Sequence, residues 1–249
     1  MRPISLQMYS LRDEAAKDLA ATLKTVAEIG YMGVESGAHG LEPAEFRRMV
    51  EDLGMVLSST GAGSEPESIP KSIDAAEAMG TDLLMTGFRP DAFADADAIK
   101  GAAEKLNALN DAVTSAGKVL TLHNHYWEFD EIDGRLAYDI LMEQCPDVSC
   151  EIDIYWAANF GAVDPAEQVA KYRARTPMLH VKDGPLVKDG AHTAVGSGKI
   201  DVPKAVAAAD ERVLRWLVVE LDECDTNMTE AVAQSYRYLV ESGLGEGTR

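Results

Sequence analysis

Long apolar runs are missing from this 249-residue chain. No stretch approaches the roughly eighteen apolar residues of a membrane-crossing helix, and the opening MRPISLQMYSLRDEA has no basic segment leading into an apolar one. Neither a membrane span nor a secretory leader is expected. Cysteine is scarce too. Cys145, Cys150 and Cys224 form no CxxC pair, which excludes a disulfide framework and a thiolate zinc site and points to a reducing compartment, the cytoplasm. Positive charge is also in short supply. With 23 Lys+Arg against 42 Asp+Glu the net charge is −19, so a basic face for a phosphate backbone is hard to build and an anionic lipid surface would repel the chain. Nucleic acid and membrane are both excluded as expected partners.

One more absence bears on the fold. The first apolar run leads into Tyr9-Ser10-Leu11-Arg12-Asp13, without the glycine-rich turn that a dinucleotide-binding open sheet places there. What the chain does have is a globular balance, with 46% hydrophobic and 26% charged residues, enough apolar material for a large core. Short Val/Ile/Leu-rich runs alternate with segments of helical spacing from end to end. Strands are expected at Ile4–Tyr9, Gly33–Ser36, Val56–Thr60, Leu83–Thr86, Val119–His123, Val148–Asp153, Met178–Val181 and Leu217–Leu221. Helix ends are marked by Gly30, Gly54, Gly80 and Gly117, and helix starts by Glu42-Pro43, Glu65-Pro66 and Asp164-Pro165. No linker divides the chain. Eight βα units over residues 1–249 read as one domain, an α/β protein of the (β/α)₈ TIM-barrel class, whose chemistry sits at the C-terminal ends of the strands.

Those ends carry ligand-type residues. Strand five closes on His123-Asn124-His125, strand six on Glu151-Ile152-Asp153, strand seven on His180-Val181-Lys182-Asp183 and strand eight on Glu220-Leu221-Asp222. Side chains alternate along a strand, so an inward His123, Asp153, His180 and Glu220 would converge on one point. Buried carboxylates there would be costly without a compensating cation. Mixed imidazole and carboxylate donors suit a divalent transition metal, so these four are the expected ligands. His39 and His192 fall in loops and are expected to be exposed and inert.

At these residues the sequence resembles the sugar phosphate isomerase/epimerase family, the xylose isomerase-like barrels that also include apurinic endonucleases. The resemblance covers nearly the whole chain. It is carried by Gln7-Met8-Tyr9-Ser10-Leu11-Arg12-Asp13, Ala27-Glu28-Ile29-Gly30-Tyr31-Met32-Gly33-Val34-Glu35, His123-Asn124-His125-Tyr126-Trp127-Glu128-Phe129, Asp153-Ile154-Tyr155-Trp156, Leu179-His180-Val181-Lys182-Asp183, Val195-Gly196-Ser197-Gly198-Lys199-Ile200-Asp201 and Val219-Glu220-Leu221-Asp222. The resemblance implies a metal held by Asp153, His180 and Glu220, with Mn²⁺ preferred and Co²⁺, Fe²⁺, Zn²⁺ and Mg²⁺ as alternatives. Where many epimerases have a strand-five glutamate, this chain has His123, with Glu128 as the alternative acid; either is a candidate base or ligand.

The activity implied is sugar isomerisation or epimerisation by proton transfer next to a carbonyl, with Glu220 as acid/base and Lys182 as a cation for a developing oxyanion. A surface pairing of Lys182 with Asp183 is the bland alternative. Glu35, His125, Tyr9 and Trp156 are candidate substrate contacts, and Trp156 is also a candidate subunit contact, since relatives of this size pair as homodimers or homotetramers. A lyase or hydratase acting on 3-keto-glycosides and a non-catalytic carbohydrate-binding protein are the rival functions. A nucleic acid-cleaving role is disfavoured by the charge.

Overall fold

A computed structural model describes residues 1–249. Eight parallel strands close on themselves: β1 (Arg2–Gln7), β2 (Gly33–Glu35), β3 (Val56–Gly61), β4 (Leu83–Thr86), β5 (Val119–His123), β6 (Ser149–Asp153), β7 (Met178–Val181) and β8 (Trp216–Val219), with β8 pairing back onto β1 through Ile4 opposite Leu217 and Leu6 opposite Val219. The expected TIM barrel is therefore the observed one. A short segment, Gly245–Glu246, adds to the outer end of β1, and a two-stranded hairpin, Glu131–Ile132 with Arg135–Leu136, decorates the loop after β5.

Alternation along each strand sorts side chains between the barrel interior and the helical ring. Leu6, Val34, Leu122, Ile152, Leu179 and Val219 are fully buried members of one extended apolar core. A small separate cluster of Leu83, Met178 and Val218, flanked by Val119 and Trp216, lies apart from it. Helix punctuation follows the glycines. The helix Ile69–Met79 ends on Gly80 in the left-handed region (φ 76°), whose N–H bonds back to Ala76 and Glu77. At Asp164-Pro165 the Asp164 carboxylate caps Ala166, as expected for a proline first turn.

Two strands end two residues earlier than expected. β1 stops at Gln7, because the Gln7 side chain accepts the Tyr9 N–H and starts a tight turn over Met8–Leu11. β8 stops at Val219, so Glu220 and Leu221 sit just beyond the last strand. The Glu65-Pro66 signal opens a 3₁₀ turn, Pro66–Ser68, and the α-helix begins at Ile69.

Candidate metal centre and active site

The ends of β5, β6, β7 and β8 meet at the C-terminal mouth of the barrel. His123 and Asp153 are the last residues of β5 and β6, His180 lies inside β7 and Glu220 follows β8. One ligand-type atom from each of these four lies within 4.8 Å of the others, and all four side chains are buried. They border a cavity of about 880 Å³ through His123, His180 and Glu220, together with Glu35, His125, Tyr9 and Asp222. That volume suits a small ligand.

A further acid is involved that was not among the four expected ligands. Glu151 is two residues before Asp153 and therefore on the same inward side, one layer deeper. His180 Nε2 lies 2.9 Å from Glu35 Oε1 and 3.3 Å from Glu151 Oε1, while His180 Nδ1 lies 3.1 Å from Glu220 Oε2. Glu35 also accepts from Gln7 and from Ser59. It lines the cavity, yet both its oxygens are engaged, by Gln7, Ser59 and His180. Its place is behind His180, where a carboxylate holds the ring and leaves Nδ1 facing the ligand cluster.

Lys182 is placed differently from the cation expected at a developing oxyanion. It is fully buried and does not line the cavity. Its ammonium sits 3.1 Å from Asp153 Oδ2, 2.9 Å from Glu220 Oε2 and 2.9 Å from Asp222 Oδ2. Nor does it pair with Asp183. The Asp183 carboxylate is also fully buried and accepts four backbone N–H groups, those of Gly184, Gly196, Gly198 and Ile200. A side chain at Gly198 would collide with this carboxylate, which explains the Val195-Gly196-Ser197-Gly198 segment as a loop folded onto Asp183. Asp183 thus pins a loop, and Lys182 neutralises carboxylates.

Glu128, the alternative strand-five acid, stands outside the four-residue cluster. It is fully enclosed and accepts the His125 N–H at 3.0 Å, so it holds the loop after β5. His125 reaches the cavity and stacks on Trp127 at 4.2 Å, and Tyr9 reaches it with half of its surface exposed. Trp156 lies beside the centre, its ring 5.0 Å from Lys182 Nζ. His192 is a correction. It is buried rather than exposed, its Nδ1 accepts the Asp222 N–H, and its ring packs on Tyr155 and Trp156. The other loop histidine, His39, is exposed and shares a hydrogen bond with Ser36.

Electrostatics follow from enclosure and neighbours. Burial, reinforced by His180, holds His123 well below the usual histidine range, so its imidazole is neutral. Burial also works to raise Glu220, but Lys182 and His180 overcome it and keep the carboxyl well below its ordinary value, ionised. Burial and the Glu35 charge push Glu151 up to about 8. Asp153 is raised by burial despite Lys182. Burial brings His125 and His192 down to about 4.

A divalent cation fits these residues. His123 Nδ1 and Glu151 Oε2 are buried with neither a hydrogen-bond nor an ion-pair partner, and Asp153 Oδ2 meets only the Lys182 ammonium, which it shares with Glu220 and Asp222. Unpaired buried groups of this kind cost free energy that coordination would remove. The donor set, imidazole with carboxylate, is that of a first-row transition metal.

Comparisons with known proteins agree with the architecture. The xylose isomerase-like TIM barrel family profile matches residues 23–241. The structure is similar to a sugar phosphate isomerase/epimerase from Parabacteroides distasonis, with a TM-score of 0.82 and 23% identity over 98% of this chain and 96% of that one. It is also similar to a probable 3-DHS dehydratase from Bacillus anthracis (TM-score 0.73, 12% identity, 96% and 98% covered) and to a D-psicose 3-epimerase (TM-score 0.69, 12% identity, 92% and 94% covered). A search of curated proteins found no match. At these identities the solved structures speak for the fold, while the profile spans most of the sequence: the chain belongs to the xylose isomerase-like TIM barrel family.

Proposed function

We propose that this protein is a divalent-metal sugar isomerase or epimerase that moves a proton on the carbon next to a carbonyl of a sugar, keto-sugar or polyol derivative. The observation that carries the reading is the buried donor cluster of His123, Asp153, His180 and Glu220, open to a cavity large enough for such a substrate. Mn²⁺ is the preferred ion. His123, Asp153, His180 and Glu220 would hold the cation, which would supply polarisation of the carbonyl oxygen and positive charge against the negative charge of deprotonation.

The chain's own groups do the rest. Glu220, kept ionised by Lys182 and His180, faces the cavity, takes the proton from the carbon next to the carbonyl and delivers it to the former carbonyl carbon, while the hydroxyl proton passes from one substrate oxygen to the other. His123 contributes a neutral imidazole nitrogen to the donor set, where a third carboxylate beside Asp153 and Glu220 would add to the negative charge. Glu35 fixes the His180 ring from behind. Lys182 lets Asp153, Glu220 and Asp222 remain charged so close together.

A lyase outcome is the second reading, favoured by His125, whose Nδ1 lacks a partner while its ring borders the cavity and could assist departure of a leaving group. One experiment tests both. Purified protein is assayed for bound metal and then incubated in D₂O with a panel of keto-sugars. Deuterium appearing on carbon supports the isomerase reading and an unsaturated product the lyase. Retained affinity for sugar after metal removal, with no conversion in any condition, contradicts both and favours a non-catalytic binding protein.

A further inference from the structure

Beside the main cavity lies a second one, of about 370 Å³, bordered by Tyr126, Trp156, Phe160, His192, Lys188 and Asp222. Asp222 lines both cavities. The two therefore adjoin at Asp222, and Trp156, which borders the second cavity, lies 5.0 Å from the buried Lys182 ammonium.

The lining is aromatic and uncovered. Tyr126 and Phe160 rings are 5.0 Å apart, Tyr126 and Trp156 5.7 Å, and Trp156 and His192 5.1 Å, at tilted or edge-on angles. None of Tyr126, Trp156 or Phe160 is buried. Phe160 is held with φ at 55°, a left-handed conformation that costs a bulky residue free energy. The ring packs on Tyr126 and Trp156 and belongs to no core cluster, so what holds it is the aromatic wall of this cavity. Polar groups stand at the rim: Lys188 Nζ lies 5.9 Å from the Tyr126 ring, with Asp189, Glu223 and Asp222 around it.

Flat apolar faces with hydroxyl-binding groups at the edge match one ligand chemistry closely. A pyranose presents C–H bonds on its faces and hydroxyls around its perimeter, so it stacks on aromatic rings while its edge meets charged and amide groups. The volume corresponds to roughly a dozen waters of liquid, enough to seat one hexose unit with space left over. The main cavity already provides room for the reacting sugar. We propose that the side cavity is a second sugar subsite, seating a hexopyranose ring that is linked to the ring reacting in the main cavity. The substrate is then a disaccharide or longer glycoside, and Tyr126, Trp156 and Phe160 determine that preference. This rests on the reading of the main cavity as a sugar site.

The test compares D-fructose with the keto-disaccharides lactulose and maltulose, binding to Mn²⁺-supplied protein, by titration calorimetry and saturation-transfer NMR. A keto-disaccharide should bind on the order of tenfold tighter than D-fructose, a difference of about 1.4 kcal/mol, and saturation should reach the C–H protons of its non-ketose ring. Phe160→Ala and Tyr126→Ala should each reduce disaccharide affinity toward that of D-fructose and leave D-fructose binding unchanged. If Phe160→Ala fails to fold, Phe160→Leu keeps the bulk and removes the ring face, with the same expected loss. Disaccharides that bind no tighter than D-fructose, or not at all, overturn the subsite, as does a disaccharide preference that survives both variants. Deuterium exchange on carbon is read separately. Exchange without disaccharide preference removes only the subsite, and disaccharide preference without exchange removes only the isomerase reading.

Discussion

Glu220 is where charge, cavity and chemistry coincide. Its carboxylate meets Lys182 at 2.9 Å and His180 at 3.1 Å and borders the cavity. Glu220→Gln removes the base and one anionic ligand with little change of shape. Proton exchange on an identified substrate should fall by about 10²-fold or more, with the far-ultraviolet circular dichroism unchanged; full exchange in that variant would eliminate its role. Lys182 makes a contrasting prediction. Lys182→Met leaves Asp153, Glu220 and Asp222 without their shared counter-charge, and breaking a buried pair in this way costs about 3–5 kcal/mol. Urea unfolding should show that loss in metal-free protein, and Mn²⁺ should recover part of it by supplying the missing positive charge. These partners could not be found by spacing along the sequence. Lys182 and Asp183 are adjacent in the chain but point to different places, the first to carboxylates from β6 and β8 and the second to the backbone of its own following loop.

At the scale of elements, the barrel strands and the inward set at their ends were legible because period-two alternation and glycine stops are local signals. His123, Asp153, His180 and Glu220 meet where that alternation places them. Depth was less legible. Glu151 and Asp153 share a side of β6, and only barrel stagger decides that Glu151 meets Glu35 and His180 one layer down. Loops were least legible. His192 is buried because its loop folds back, donating the His192 N–H to Glu223 and accepting the Asp222 N–H on the ring, contacts that span about thirty residues of chain. The Ala194–Ile200 loop is held by the Asp183 carboxylate in the same way. Asp183→Asn replaces an acceptor-only group with one that presents N–H to N–H, and should cost about 3 kcal/mol, the scale of hydrogen bonds to a charged group. Hydrogen exchange should report it first at the amides of Gly196, Gly198 and Ile200; unchanged protection there would show that the loop is held by something else.

Taken as a whole, the molecule carries a net charge of −19 and concentrates several enclosed acids around one cavity. No helix is long and apolar enough to cross a membrane. Enclosed acids give stability a pH dependence. Burial raises Glu128 from an ordinary 4.5 to about 8. Between those values the folded chain keeps a proton that the unfolded chain has released, so this residue makes stability fall as pH rises through that window, by at most about 1.4 kcal/mol per pH unit. Glu128→Gln should flatten that portion of the stability–pH curve measured by urea unfolding, and an unchanged slope would place the Glu128 proton elsewhere.

Stability should respond to metal as well, since an ion that binds only the folded state raises the melting temperature with its concentration. The most direct measurement of the central claim is anomalous diffraction from crystals grown with Mn²⁺. One peak should stand among His123, Asp153, His180 and Glu220, within bonding distance of each. No peak there, with Lys182 still bridging Asp153 and Glu220 at saturating Mn²⁺, would contradict the metal centre and the chemistry built on it.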